Sequence, residues 1–279
     1  MRIRKLAVVF ACMTALGGAA QAGPVFLTGH DPDFHAQGSV GAQNLLRTGL
    51  SFVTGGTFDD GVATKFLWVE SRIPTPSGHL IGENGLGAIG LSLGTNYDRV
   101  NAAEFATVNL SNYTAIAVAS SFGGLLGRAE LDALIARTTD IRNFINAGGG
   151  LMALAECFPV AGGACGANLL AGGTPPVPFG YLPITVGSIP NSGSFTVTPF
   201  GAGLGLTNAD VNDPTHNSFA GTGGLNVVDI DGLSSPTTLA GVVQIRDGGF
   251  DLVPAPGALI LFATGLGALL WNRRRMPIG

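Results

Sequence analysis

The sequence predicts an α/β protein in which a parallel sheet carries helices on both of its faces. Two observations lead there: short, almost wholly apolar runs at 24–28, 65–69, 115–119 and 151–155, and an amphipathic helical pattern between the last two. A strand covered on both faces reads as a continuous apolar run rather than an alternation, which marks a parallel sheet. Parallel neighbours need a long crossover, and the helical pattern supplies one.

Leu131, Leu134, Ile135, Thr138, Ile141 and Ile145 recur near i, i+3, i+4 and i+7, which predicts one helix across 131–145 with a single buried side. Gly148, Gly149 and Gly150 end it, because glycine takes the positive φ of a helix C-terminus without a Cβ clash, and 151–155 follows as the central strand. Ligands of open α/β sheets sit beyond the carboxyl ends of the strands, so Ala155, Glu156 and Cys157 are a first place to look for chemistry. Upstream, Ser39 is suited to cap a helix over 40–50 that turns Leu45, Leu46 and Leu50 toward the core. Phe66 and Trp68 belong to the core rather than to a sugar-stacking platform. The glycine- and proline-rich stretch 73–93 reads as a loop around a short helix at 86–91. After Cys165 the texture changes: 172–183 holds four prolines, and strands are expected at 194–198, 225–230 and 237–245. Residues 23–171 thus form the α/β core and 172–250 a β-rich extension of the same domain.

The two ends are of another kind. Residues 1–22 open with Arg2, Arg4 and Lys5, continue through an apolar run and close on Ala20, Gln21 and Ala22, the small-x-small pattern of signal-peptidase cleavage. At the other end a charge-free run over 257–271 is followed by Arg273, Arg274 and Arg275. Fifteen helical residues span roughly 22 Å, a marginal single transmembrane helix, and the arginines hold its C-terminus on the cytoplasmic side. The order of Val253, Pro254, Ala255, Pro256, apolar helix and arginine cluster over 251–279 resembles the PEP-CTERM sorting signal, with Ala255 where that family usually has Glu. The resemblance implies a Gram-negative host that makes exopolysaccharide, processing by an exosortase-type enzyme near the proline motif, passage through the inner membrane with transient C-terminal anchoring, and a final place in the envelope or outside the cell.

Composition agrees with export. Six of the 14 basic residues lie in the two ends, which leaves eight against all 18 acidic residues. A body near −10 has no footprint for nucleic acid, and it repels acidic polysaccharide unless divalent cations intervene. With Cys12 in the leader, Cys157 and Cys165 remain as an even pair, suited to a disulfide in an oxidising compartment. The competing reading of Cys157 is a free nucleophile.

The opening strand with Thr28, Gly29 and His30, then Phe34 and His35, the strand 115–119, and the helix leading through the glycine triplet to 151–155 resemble the class I glutamine amidotransferase-like fold, especially its trehalose-utilisation-like branch. That resemblance implies a flavodoxin-like sheet. It also implies a cysteine or histidine at the turn after the central strand, where this chain has Ala155; no glycine flanks Cys157, and His216 is followed by Asn217 and Ser218 rather than by His-x-Glu.

His30, Asp31, Asp33 and His35 stand just past the opening strand. Two imidazoles and two carboxylates there, with Glu156, are suited to a cation such as Ca²⁺ or Zn²⁺ or to a polar ligand; a turn at Asp31-Pro32, a helix cap at Asp33 and a packed histidine are the leading account of them. No resident cofactor is implied. The expectation is an exported, non-catalytic binding or structural protein that meets extracellular polysaccharide, with a carbohydrate-directed hydrolase or isomerase as the alternative.

Overall fold

The computed structural model describes residues 21–56, 65–71, 82–121, 126–156, 177–187, 194–212, 216–246 and 248–253. The expected signal peptide up to residue 20, Cys157 and Cys165, and the expected sorting motif beyond Val253 lie outside them. Among the described residues no helix is long and apolar enough to cross a membrane, and the segment 257–271 is not among them.

The parallel strands are β1 (Gly23–Thr28), β2 (Phe66–Val69), β3 (Tyr97–Val100), β4 (Ala115–Val118) and β5 (Gly150–Ala153). β6 (Thr196–Val197), β7 (Asn226–Ile230), β8 (Pro236–Arg246) and β9 (Gly249–Leu252) follow. All belong to one sheet in the order β3-β2-β4-β5-β1-β8-β7-β6, with β9 paired to β8. β1 is the seam, parallel to β5 on one side and antiparallel to β8 on the other.

Helices cover both faces because the crossovers run in opposite directions. From β1 to β2 and on to β3 the chain moves toward one edge, carrying α1 (Pro32–His35), α2 (Val40–Thr54) and α3 (Gly82–Ala88). From β3 through β4 to β5 it moves back, carrying α4 (Ala102–Phe105), α5 (Arg128–Ala136) and α6 (Thr138–Asn146). Right-handed crossovers of opposite direction lie on opposite faces. α2 begins at Ser39, whose hydroxyl accepts from Ala42 N at 3.2 Å, and ends at Gly55 with φ 69°. Gly49 on α2 faces Phe26 and Met152, where a Cβ would collide with both side chains. The short α7 (Pro199–Gly203) packs on β7.

The single helix expected over 131–145 is two. The chain breaks at Arg137, with φ −104° and ψ 22°, where the guanidinium donates to Phe105 O at 2.6 Å, Val108 O at 2.9 Å and Asp140 at 2.8 Å. The strand β3 carries Asp98 and Arg99 in place of an apolar run, each held by a partner, Lys65 for the first and Glu83 for the second.

Candidate functional site

The carboxyl edge of the sheet gathers buried polar side chains in three groups. At the end of β1, His30 is fully buried, donates its backbone N–H to Thr28 Oγ1 at 3.1 Å and sets Nε2 3.1 Å from Asp229 Oδ2 on β7. Thr237 donates its hydroxyl to the same Asp229 oxygen, and the ring of Phe195 meets the imidazole edge-on at 5.0 Å. Asp31 is also fully buried. The Nε2 atoms of His216 and His35 approach its Oδ1 at 3.2 and 3.6 Å, yet neither carboxylate oxygen receives a hydrogen bond among the described residues. Both carboxamide atoms of buried Asn217 are likewise without a hydrogen-bond partner among them. Asn217 is packed against Gly29, where a Cβ would strike its carbonyl, and His216 N donates to Gly29 O at 2.8 Å.

The second group lies where β2 is flanked by β3 on one side and β4 on the other, the point at which the connections change direction and where open α/β sheets form their crevice. Asp33 accepts from Ser120 N at 2.9 Å and from Phe34 N at 3.2 Å. Glu70, one residue past β2, accepts from Trp68 Nε1 at 2.7 Å and lies 3.6 Å from Arg99. Gly82, which opens α3, faces both carboxyls, and a side chain there would run into them. Burial pushes Asp33 up to about 7, with the charge of Asp31 adding to it. Burial likewise pushes Glu70 up to about 7, against the Trp68 bond that lowers it, with Asp33 and Glu83 adding. Beside this pair an open groove of about 710 Å³ is lined by Gln37, Glu83, Asn84, Gly87, Ala88 and Tyr97.

The third group closes the end of β5. Glu156 is fully buried and accepts from the Phe179 N–H and, at 2.6 Å, from the Tyr181 hydroxyl. Burial raises its pKa to about 7, the two donors holding it lower than burial alone would. The Tyr181 phenol is pushed well up by burial and by the carboxyl beside it. Ala155 is fully buried and engaged through its backbone, donating to His30 O at 3.0 Å and accepting from Ser121 N at 2.8 Å.

The parallel pairing of β1 with β5 brings His30, Asp31, Asp33, His35 and Glu156 to one edge, but the side chains do not form one set of bonds. His30 goes to Asp229, Asp33 to Ser120, Glu156 to Tyr181, and Asp31 faces His35 and His216. Glu70, Asn217, Asp229 and Tyr181 are the partners that sequence reasoning missed. Glu70 had a readable signal, a carboxyl directly after an apolar strand, as at Glu156; the others come from segments whose placement no local pattern encodes. Asp210 lies elsewhere, in a turn where it accepts from Thr207 N and its hydroxyl at 2.8 Å each.

Among the described residues no group of three or more His, Cys, Asp or Glu side chains is arranged to hold a metal ion. No family model matches this chain, and no curated protein and no solved structure is similar to it.

Proposed function

We propose that this is an exported, envelope-associated binding protein, sorted through its PEP-CTERM-like C-terminus, that takes a polar ligand at the end of β1 without turning it over. The observation that carries the reading is the unmet hydrogen-bonding capacity of Asp31 and Asn217, two fully buried side chains at the end of β1, Asp31 two residues past Gly29 and Asn217 packed on Gly29. Buried polar groups are nearly always bonded, so such a cluster is built for something that brings its own donors and acceptors. A hydroxyl-rich molecule such as a polysaccharide fragment fits. Ala155 at the end of β5 argues against covalent catalysis, since its methyl group offers neither nucleophile nor base.

The strand order supports the flavodoxin-like, amidotransferase-like reading. Read with the first strand counted last, β3-β2-β4-β5-β1 has the 2-1-3-4-5 order of flavodoxin-like sheets. Calorimetry with Ca²⁺, Zn²⁺ and short polysaccharide fragments tests the site. Binding by the wild type that is lost in Asp31→Asn and Asn217→Ala supports it, and binding unchanged in both removes it. Intact-mass measurement on envelope material tests the sorting: the main species is expected to lack 255–279, and retention of Arg273 to Arg275 sinks it. Peptide mapping without reductant is expected to show Cys157 joined to Cys165.

One observation favours the alternative of a hydrolase or isomerase acting on carbohydrate. Asp33 and Glu70 form a buried carboxyl pair at the crevice position, both near 7, where one acid and one base can coexist. Turnover in a glycoside and ester screen that is abolished by Glu70→Gln would put the enzyme first.

A further inference from the structure

Asp31 and Asn217 are fully buried, so a ligand reaches them only when a covering segment moves. Asn217 is carried by 216–220, which is tied down from three directions. His216 N donates to Gly29 O at 2.8 Å and Phe219 N to Pro236 O at 2.9 Å, which fixes the segment to the end of β1 and the start of β8. The third tie is the segment 177–187. Gly187 N donates to Ser218 O at 2.7 Å, Ala220 N donates to Thr185 O at 2.9 Å, and the rings of Phe179 and Phe219 meet with centroids 5.4 Å apart.

The other end of 177–187 is held by Glu156, whose carboxyl accepts from the Phe179 N–H and the Tyr181 hydroxyl. Phe179 stands at φ 54°, in the left-handed region that a bulky residue keeps only when its surroundings enforce it. Release from Glu156 therefore lets a strained backbone relax. The same release loosens the segment that presses Phe219 and Ser218 into place, one residue and two residues beyond Asn217.

We propose that 177–187 is a strap over the Asp31–Asn217 site and that Glu156 is its latch, so that release from Glu156 frees 216–220 and opens a path to both side chains. Glu156 is thus a positioning residue that touches no ligand. The proposal takes its purpose from the ligand-binding reading, but its test needs no ligand, so the strap can fail while that reading stands. Local openings show as amides that exchange faster than those freed only by global unfolding. Hydrogen exchange followed amide by amide in the full chain is expected to show Gly187, His216, Phe219 and Ala220 opening together, about 100-fold faster than Phe26 and Met152, which pair at the centre of the sheet. Tyr181→Phe keeps the ring and removes one of the two bonds to Glu156, and Glu156→Gln keeps one acceptor oxygen; each is expected to speed the four amides about ten-fold further. Exchange of the four as slow as that of Phe26 in the wild type overturns the strap, because the site then opens only on global unfolding. Four amides that neither variant moves, while Phe26 and Met152 speed up, overturn the latch and leave Glu156 with a role in fold stability alone.

Discussion

The ends of β1 and β5 lie side by side, and each places a fully buried carboxyl at the carboxyl edge, yet the two are treated in opposite ways. Glu156 has both oxygens filled by donors of the chain, the Phe179 N–H and the Tyr181 hydroxyl. Asp31 has two imidazoles near one oxygen and a hydrogen bond to neither. A buried carboxyl bonded on both oxygens belongs to the scaffold, tying the segment around Phe179 to the central strand. One whose acceptors stay open is held ready for a group from outside. Burial alone therefore does not distinguish a structural acid from a binding acid; the state of the acceptors does.

The widest contrast is in stability. Glu156→Leu leaves the Phe179 N–H and the Tyr181 hydroxyl buried without an acceptor, and about 2–4 kcal/mol is expected to disappear in urea denaturation. A loss under about 1 kcal/mol would erase the distinction between the two strand ends. The acid pair between them gives the next effect. Glu70 keeps its proton in the folded state up to about 7 but releases it near 4.5 when unfolded, so it stabilises the fold at low pH and that stability is lost as pH rises through 7. Glu70→Gln removes this dependence and should raise stability by about 1–3 kcal/mol at pH 8 while changing little at pH 4, read from melting curves across that range. A pH-independent difference would mean that Glu70 titrates normally. At the end of β1, Asp31→Asn is expected to shift stability by less than the Glu156 change, by about 1 kcal/mol, because it removes the charge facing His35 and His216 but no hydrogen bond, while abolishing ligand heat. A large destabilisation would move Asp31 into the class of Glu156. Ser39→Ala, remote from both ends, should cost about 1 kcal/mol through the lost cap and leave ligand heat untouched, which calibrates the others.

What the sequence discloses follows the same division between local and distant causes. β1, α2 and β4 are legible because their signals are local: a cap at Ser39, a helical period, an apolar run. The break at Arg137 is not legible, since it depends on carbonyls of Phe105 and Val108 about thirty residues upstream. β3 escapes notice because Asp98 and Arg99 interrupt its apolar pattern, and their ion partners lie on other elements. At the edge, the residues after β1 and β5 are found from the rule that chemistry collects beyond carboxyl ends, and the same rule applied to β2 would have found Glu70. His216, Asn217, Asp229 and Tyr181 arrive from segments that the fold, not the pattern, brings to these strand ends.

The pairing of β1 with β8 also sets a clock. β1 is the first strand of the body to be made, and the hydroxyls of Thr28 and Thr238 that meet across the seam are separated by 210 positions. At the usual pace of synthesis, roughly 5–20 residues per second, β1 waits on the order of 10–40 s for its antiparallel neighbour. Until then one whole side of its backbone stays unpaired, and the core cannot close around it. A chain whose first strand depends on its last long one remains threadable for most of its synthesis, a property in keeping with the proposed export.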